Sequence, residues 1–212
     1  MTEAAVVTGQ GCAASTAGDT HSVLRQVRDR PTALRYGIAL LKGWLYKFWF
    51  RMLGYRFSAG ARLRVYGRLR LNGPGQVIFG SDVIVYDYVT PWTHAPEARI
   101  VIGDNVILGG TRFGCVQVIT VGDNCILADA RIMDTDFHSV RADRRSREAP
   151  VRVAPVRIEE NVWVGASAAV LPVTTIGKNS VVGFGAVCMG RYPADKVIVG
   201  NPGRAVLPLP TA

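Results

Sequence analysis

From Ile158 the apolar and small positions recur every six residues: Ile158-Glu-Glu-Asn-Val-Trp163, Val164-Gly-Ala-Ser-Ala-Ala169, Val170-Leu-Pro-Val-Thr-Thr175, Ile176-Gly-Lys-Asn-Ser-Val181 and Val182-Gly-Phe-Gly-Ala-Val187. Each six opens on Ile or Val and carries a small or β-branched residue in fifth place: Val162, Ala168, Thr174, Ser180, Ala186. Self-similarity at a fixed period is the mark of a solenoid. The pattern predicts a coil with three flat faces, in which the first residue of each six points inward and stacks on its equivalents one rung away, and the small fifth residue fits beneath a corner. Three sixes make one rung. The turn-like tetrads beginning at Phe79, Ile102, Val121, Ile158 and Ile176 are spaced by 23, 19, 37 and 18 residues, close to multiples of that rung. The surplus in the first gap predicts a loop near residues 91–97, and the long gap an excursion over 139–155.

Before the repeats, the run from Ala33 to Phe57 is apolar and aromatic but interrupted by Arg35, Lys42, Lys47, Arg51 and Arg56. A spanning helix needs ~20 consecutive apolar residues, so an amphipathic helix over 33–57 is expected instead. It could cover the open end of the coil or pack between subunits. Its Trp44, Tyr46, Trp49 and basic residues also suit peripheral contact with a membrane surface. Residues 1–32 are small and polar, without a signal-peptide pattern, and read as a loose leader. The expected plan is therefore an all-β solenoid over 58–206, an N-terminal helix, and a short tail at 207–212.

Composition sharpens this little. The 212 residues carry 25 Lys and Arg against 16 Asp and Glu, a formal charge of +9 that favours an anionic partner without naming it. Cys12, Cys115, Cys125 and Cys188 show neither metal-site nor disulfide spacing, so reduced thiols and a cytoplasmic setting are expected. No metal is expected: a zinc carbonic anhydrase would need three converging histidines, and His21, His94 and His138 are far apart, with His21 in the leader.

The motifs Asp134-Thr-Asp-Phe-His138-Ser, Asn161-Val-Trp163-Val-Gly165-Ala, Ile176-Gly-Lys-Asn-Ser-Val-Val-Gly183-Phe-Gly185-Ala-Val and Gly200-Asn201-Pro202-Gly203-Arg204 follow one another in this order. In them the chain resembles the hexapeptide-repeat acyltransferases, in particular the sugar and polysaccharide O-acetyltransferases. The resemblance implies a left-handed parallel β-helix, a homotrimer with active sites between subunits, and acetyl-CoA as donor. It implies His138 as catalytic base, and donor contacts at Trp163, the backbone N–H of Ala166, Phe184, Gly185 and Arg204. Phe184 and the Met189-Gly190 pair depart from the family's galactoside enzymes.

Acetyl transfer to a hydroxyl needs a base, donors for an oxyanion and a grip on the donor. Histidine's ordinary pKa of ~6.5 makes His138 a suitable base. Asp134 and Asp136 alternate to its side of an extended segment, and either could orient it. Trp92, His94 and Arg112 are candidates for the sugar site. Arg141, Arg144, Arg145, Arg147 and Arg152 make the long excursion either a solvated face or a phosphate-binding lid. The acceptor reads as a sugar, nucleotide-linked or lipid-linked, in cell-surface glycan synthesis at the inner membrane surface. An amine or small glycoside is the alternative within the family, and a non-enzymatic basic coil binding anionic polymers lies outside it. Nucleic acid is not an expected partner, since no aromatic stacking platform accompanies the arginines.

Overall fold

A computed structural model describes residues 30–208. What the sequence leads one to expect of residues 1–29, with Cys12 and His21, and of residues 209–212 lies outside the described residues.

Residues 56–208 wind into a left-handed parallel β-helix of about seven turns. The first sheet stacks Arg56–Ala59, Gln76–Phe79, Arg99–Ile102, Val118–Val121, Val156–Ile158, Thr175–Ile176 and Arg191–Tyr192. The second stacks Arg64–Val65, Ile84–Tyr86, Ile107–Gly109, Ile126–Ala128, Trp163–Val164, Val181–Val182 and Lys196–Val199, closed by Arg204–Pro208. The third stacks Arg68–Leu69, Tyr88–Thr93, Arg112–Cys115, Arg131–Met133, Ala169–Val170 and Val187–Cys188.

The six-residue pattern maps directly onto this prism. Ile158, Val164, Val170, Ile176 and Val182 are all inward and at most 1% exposed, as are the fifth-place Val162, Ala168, Thr174, Ser180 and Ala186. Each fully buried Val or Ile contributes about 1.5–3 kcal/mol relative to exposure, so the axial stack is the main stabilising element. Where the first sheet turns into the second, the coil needs a left-handed backbone at one residue per rung. Arg62 takes it on the first rung, with φ 53°, and Asp82, Asn105, Asn124, Asn161, Asn179 and Asp195 on the later ones, with φ between 54° and 60°. Asn and Asp tolerate this region better than other side-chain residues. Their amides also join adjacent rungs, Asn105 donating to Asn124 (2.9 Å), Asn161 to Asn179 (3.0 Å) and Asn179 to Asp195 (2.8 Å).

Several expected boundaries are corrected. The helix, α1, runs Arg30–Met52 and not 33–57, because Arg56–Ala59 pairs with Gln76–Phe79 as the first rung. Residues 91–93 do not leave the coil: Pro91, Trp92 and Thr93 pair with Phe113, Gly114 and Cys115, and only 94–97 are extruded. The long excursion begins at Asp136, since an antiparallel bridge between Thr135 and Val153 ties its base, with Asp136 N–H donating to Arg152 O. The closing strand extends to Pro208, past the expected start of the tail at 207.

From Tyr36 onward, α1 covers the end of the coil, the first of the alternatives the sequence leaves open. Ala39, Gly43 and Phe50 are buried on one stripe, and Phe50 packs edge-on against Phe57, which packs against Phe79. Lys42 donates to the carbonyls of Tyr66 and Gly67, and Lys47 to that of Gly60, so helix side chains satisfy first-rung groups that have no strand above them. A Cβ at Gly43 would stand 1.9 Å from the Leu63 carbonyl oxygen, which is why this contact needs glycine. The amphipathic expectation is corrected in part: the outer side is also apolar, with Leu41, Trp44, Leu45, Phe48 and Trp49 exposed. No helix among the described residues is long and apolar enough to cross a membrane.

Candidate active site

A groove of about 730 Å³ lies on the outer face of the third sheet, beside the corner that leads back to the first. The outward side chains of three successive strands floor it: Tyr88, Thr90 and Trp92, then Arg112, then Arg131 and Met133. His94, from the short extruded loop, and Phe137 and His138, from the base of the long excursion, complete the rim.

The rim is built by aromatic stacking. His94 lies between Trp92 and Phe137, with ring centroids 4.7 Å away on either side, nearly parallel to the indole and edge-on to the phenyl. Phe137 has a φ of 60°, uncommon for a bulky residue, and its ring rests on Gly114, where an added Cβ would come within 2.5 Å of Cζ. Partial burial among these rings lowers the His94 pKa, against a smaller opposing effect of the Asp134 charge. His94 is thus held neutral over a wider pH range than a free histidine. His138 is exposed, its backbone N–H donates to Asp136 O (2.7 Å), and its imidazole has no hydrogen-bond partner among the described residues.

Neither aspartate orients that imidazole, contrary to the sequence expectation. Asp134 is fully buried and accepts from the N–H groups of Val116 and Gln117, both at 2.7 Å, and from the Cys115 thiol at 3.3 Å. Its carboxylate is directed to the neighbouring rung, where it braces the corner below His94. Asp136 turns outward into a bidentate pair with Arg152, at 3.0 and 3.1 Å. An acidic residue two or four places before a histidine shares its side only while the strand continues, and here the strand ends at Met133. Elsewhere on the excursion, Arg141 pairs with Asp143, Arg144 donates to the Arg141 carbonyl at 3.2 Å, and Arg145 and Arg147 are exposed.

Trp92, His94, Arg112 and His138 are therefore gathered into one groove. Arg70, Tyr88, Arg131 and Met133 line it too, and sequence reasoning missed them. A signal was present: Arg70, Arg112 and Arg131 recur at outward positions of the same face, but only the register shows that they align.

The candidates for donor contact gather elsewhere. Ala166 and Gly185 stack at the corner between the second and third sheets, where Gly185 N–H donates to Ala166 O (3.0 Å), with Phe184 beside them and 79% exposed. The Ala166 N–H donates to nothing among the described residues. Trp163 projects from the second sheet, and Arg204 is exposed on the closing strand. Within one chain this corner and the corner bearing His138 stand at opposite edges of the third sheet.

Comparison with known proteins bears on the fold and the family. A family model described as bacterial transferase hexapeptide (six repeats) matches residues 155–190. A Schizosaccharomyces pombe protein provisionally named an acetyltransferase is 30% identical over 153 residues, covering 66% of this chain and 73% of the relative. The galactoside O-acetyltransferase of Lactococcus lactis is 42% identical over 107 residues, and the chain spans 51% of its length. Among solved structures, a variant of AntD, an N-acyltransferase from Bacillus cereus, superposes with a TM-score of 0.64 at 17% identity, covering 77% of this chain and 89% of that one. The axial stack, the ordered motifs and this coverage together establish that the chain belongs to the hexapeptide-repeat acyltransferase family.

Proposed function

We propose that the chain transfers the acetyl group of acetyl-CoA to a sugar hydroxyl, with His138 as general base. The observation that carries this is the His138 imidazole, exposed on the rim of a groove walled by Trp92 and Phe137 and free of any protein partner among the described residues. Aromatic faces suit the apolar side of a sugar ring, while a free imidazole nitrogen can accept the hydroxyl proton. As that proton leaves, the hydroxyl oxygen attacks the thioester carbonyl. The oxyanion so formed would be met by the Ala166 N–H, and its collapse breaks the carbon–sulfur bond. The departing thiolate takes the proton back from the imidazolium, leaving His138 neutral. The family and the name of the Lactococcus lactis relative support this reading.

The separation of the two corners favours assembly. A site using both His138 and Ala166 requires the groove of one copy to face the second-sheet corner of another, as in a homotrimer. The second sheet presents an outward ladder of Ile84, Ile107, Ile126, Trp163, Val181 and Val197, one per rung, and such an apolar face suits contact with a second copy. Buried reduced Cys115, Cys125 and Cys188 suit the cytoplasm. The apolar outer side of α1, with Lys42, Lys47 and Arg51, suits peripheral contact with an anionic inner surface. Flotation with anionic vesicles tests that contact, and equal partitioning of a Trp44→Ser/Trp49→Ser variant would dismiss it.

The deciding experiment measures CoA release from acetyl-CoA across a panel of sugars. His138→Ala is expected to lose about 10²–10⁴ in turnover, the usual contribution of a general base, with its fold intact by circular dichroism. Full activity in that variant would remove His138 from the chemistry.

A further inference from the structure

The groove is strongly cationic. Arg70, Arg112 and Arg131 line it, and no Asp or Glu does. They are aligned: Arg112 pairs in register with Arg131 on one side and with Thr90 on the other. Arg70 falls opposite Thr90, because Arg68 pairs with Tyr88 and Asn72 bridges Trp92. Arg70, Thr90, Arg112 and Arg131 thus form a column up the third sheet, with rungs about 4.8 Å apart. Like charges directly opposite on adjacent strands destabilise a sheet. Partners within the chain relieve little of this. Arg131 reaches the exposed Asp129 at 3.3 Å, Arg70 makes one long contact of 3.4 Å with the Tyr88 hydroxyl, and Arg112 has no acidic partner among the described residues.

Guanidinium groups in a fixed row, each with donors to spare, match the oxygens of a phosphate or diphosphate. The column sits on the N-terminal side of His138, whereas the donor candidates Trp163, Ala166, Phe184, Gly185 and Arg204 lie on later rungs. The arginine column and the donor candidates therefore occupy different rungs.

We propose that Arg70, Arg112 and Arg131 form the subsite for a phosphate or diphosphate group carried by the acceptor, so that the chain acetylates a sugar phosphate ester and not a neutral glycoside. This rests on the acetyltransferase reading above. Arg112 and Arg131, one rung apart, grip the phosphoryl oxygens, and Arg70 lies two rungs beyond Arg112. Trp92 and His94 hold the sugar ring between that grip and His138.

The test uses inorganic pyrophosphate, which carries the anionic group without any choice of sugar. Titration calorimetry on the full chain should show saturable binding, weakened about tenfold or more in Arg112→Gln/Arg131→Gln. The Arg112→Lys/Arg131→Lys variant keeps the charge and should recover part of it, which separates binding from misfolding. Arg144→Gln/Arg145→Gln, on the excursion, should bind as wild type. His138→Ala should bind pyrophosphate normally while failing to turn over, so failure of the subsite and failure of the transferase reading are told apart. UDP-glucose and a short prenyl-diphosphate glucose, compared as competitors, distinguish a nucleotide carrier from a lipid one. The proposal is overturned if pyrophosphate does not bind, or if the glutamine variant binds it unchanged. It is equally overturned if that variant loses CoA affinity to the same degree, since the arginines would then hold the donor.

Discussion

Replacing Asp134 by Ala tests whether the site is braced or activated by this carboxylate. The substitution removes the acceptor for Val116 N–H and Gln117 N–H, each held at 2.7 Å. A hydrogen bond to a charged group is worth about 1.5–3 kcal/mol, and a buried donor left unpaired costs about 1–3 kcal/mol. Gln117 is exposed and Val116 half-buried, so water recovers part of the loss, leaving about 2–4 kcal/mol for the pair. For a chain of this size that lowers Tm by roughly 5–15 °C. Asp134→Asn keeps one acceptor but sets its amide against the second N–H, and should fall between Ala and wild type. Urea denaturation at fixed protein concentration, followed by circular dichroism, measures the change. A loss under about 1 kcal/mol in Asp134→Ala would refute the bracing role. So would an Asp134→Asn chain of wild-type stability whose turnover collapses, the behaviour of an orienting partner for His138.

Three further outcomes follow from the packing. Gly43→Ala sets a methyl 1.9 Å from the Leu63 carbonyl oxygen, so α1 must lift from the first rung; a loss of about 1–3 kcal/mol is expected by thermal melting, and wild-type stability would mean the helix does not cap the coil tightly. His94, its pKa lowered by partial burial, should titrate below an ordinary histidine by NMR and move back up in Phe137→Ala; an unshifted midpoint in both would deny the stacked rim. Burial pushes the Cys125 and Cys188 thiols up to about 11, from 9.0 in a free thiol. In the window between those values the folded chain holds protons that the unfolded chain releases, so stability should decline as pH rises through it. Urea midpoints at pH 8 and pH 10.5 measure this, and a Cys125→Ala/Cys188→Ala chain with the same pH slope would contradict it.

Much of the coil is legible along the chain because each rung is closed by local rules. An inward Ile or Val every sixth residue, a small residue two places before the next, and a turn-like tetrad at one corner specify a three-faced prism, and Ile158 through Ala186 occupy it as read. The two insertions were also visible as gaps of 23 and 37 residues, though not their edges. Strand pairing keeps Pro91 to Thr93 in the coil, and the bridge from Thr135 to Val153 starts the excursion early.

The tertiary structure alone decides what shares a surface. His94 and His138 are 44 positions apart, and only the fold of the excursion back over Gly114 brings Phe137, the neighbour of His138, against His94. Arg70, Arg112 and Arg131 become one column only once the register across the short loop is set. The role of Asp134 reverses for the same reason. Its alternation with His138 is a property of an extended strand, but the chain bends at Met133, and the carboxylate meets the amides of the rung beside it. Period and composition act within a rung, whereas a site is made between rungs, where register and insertion length determine which side chains meet.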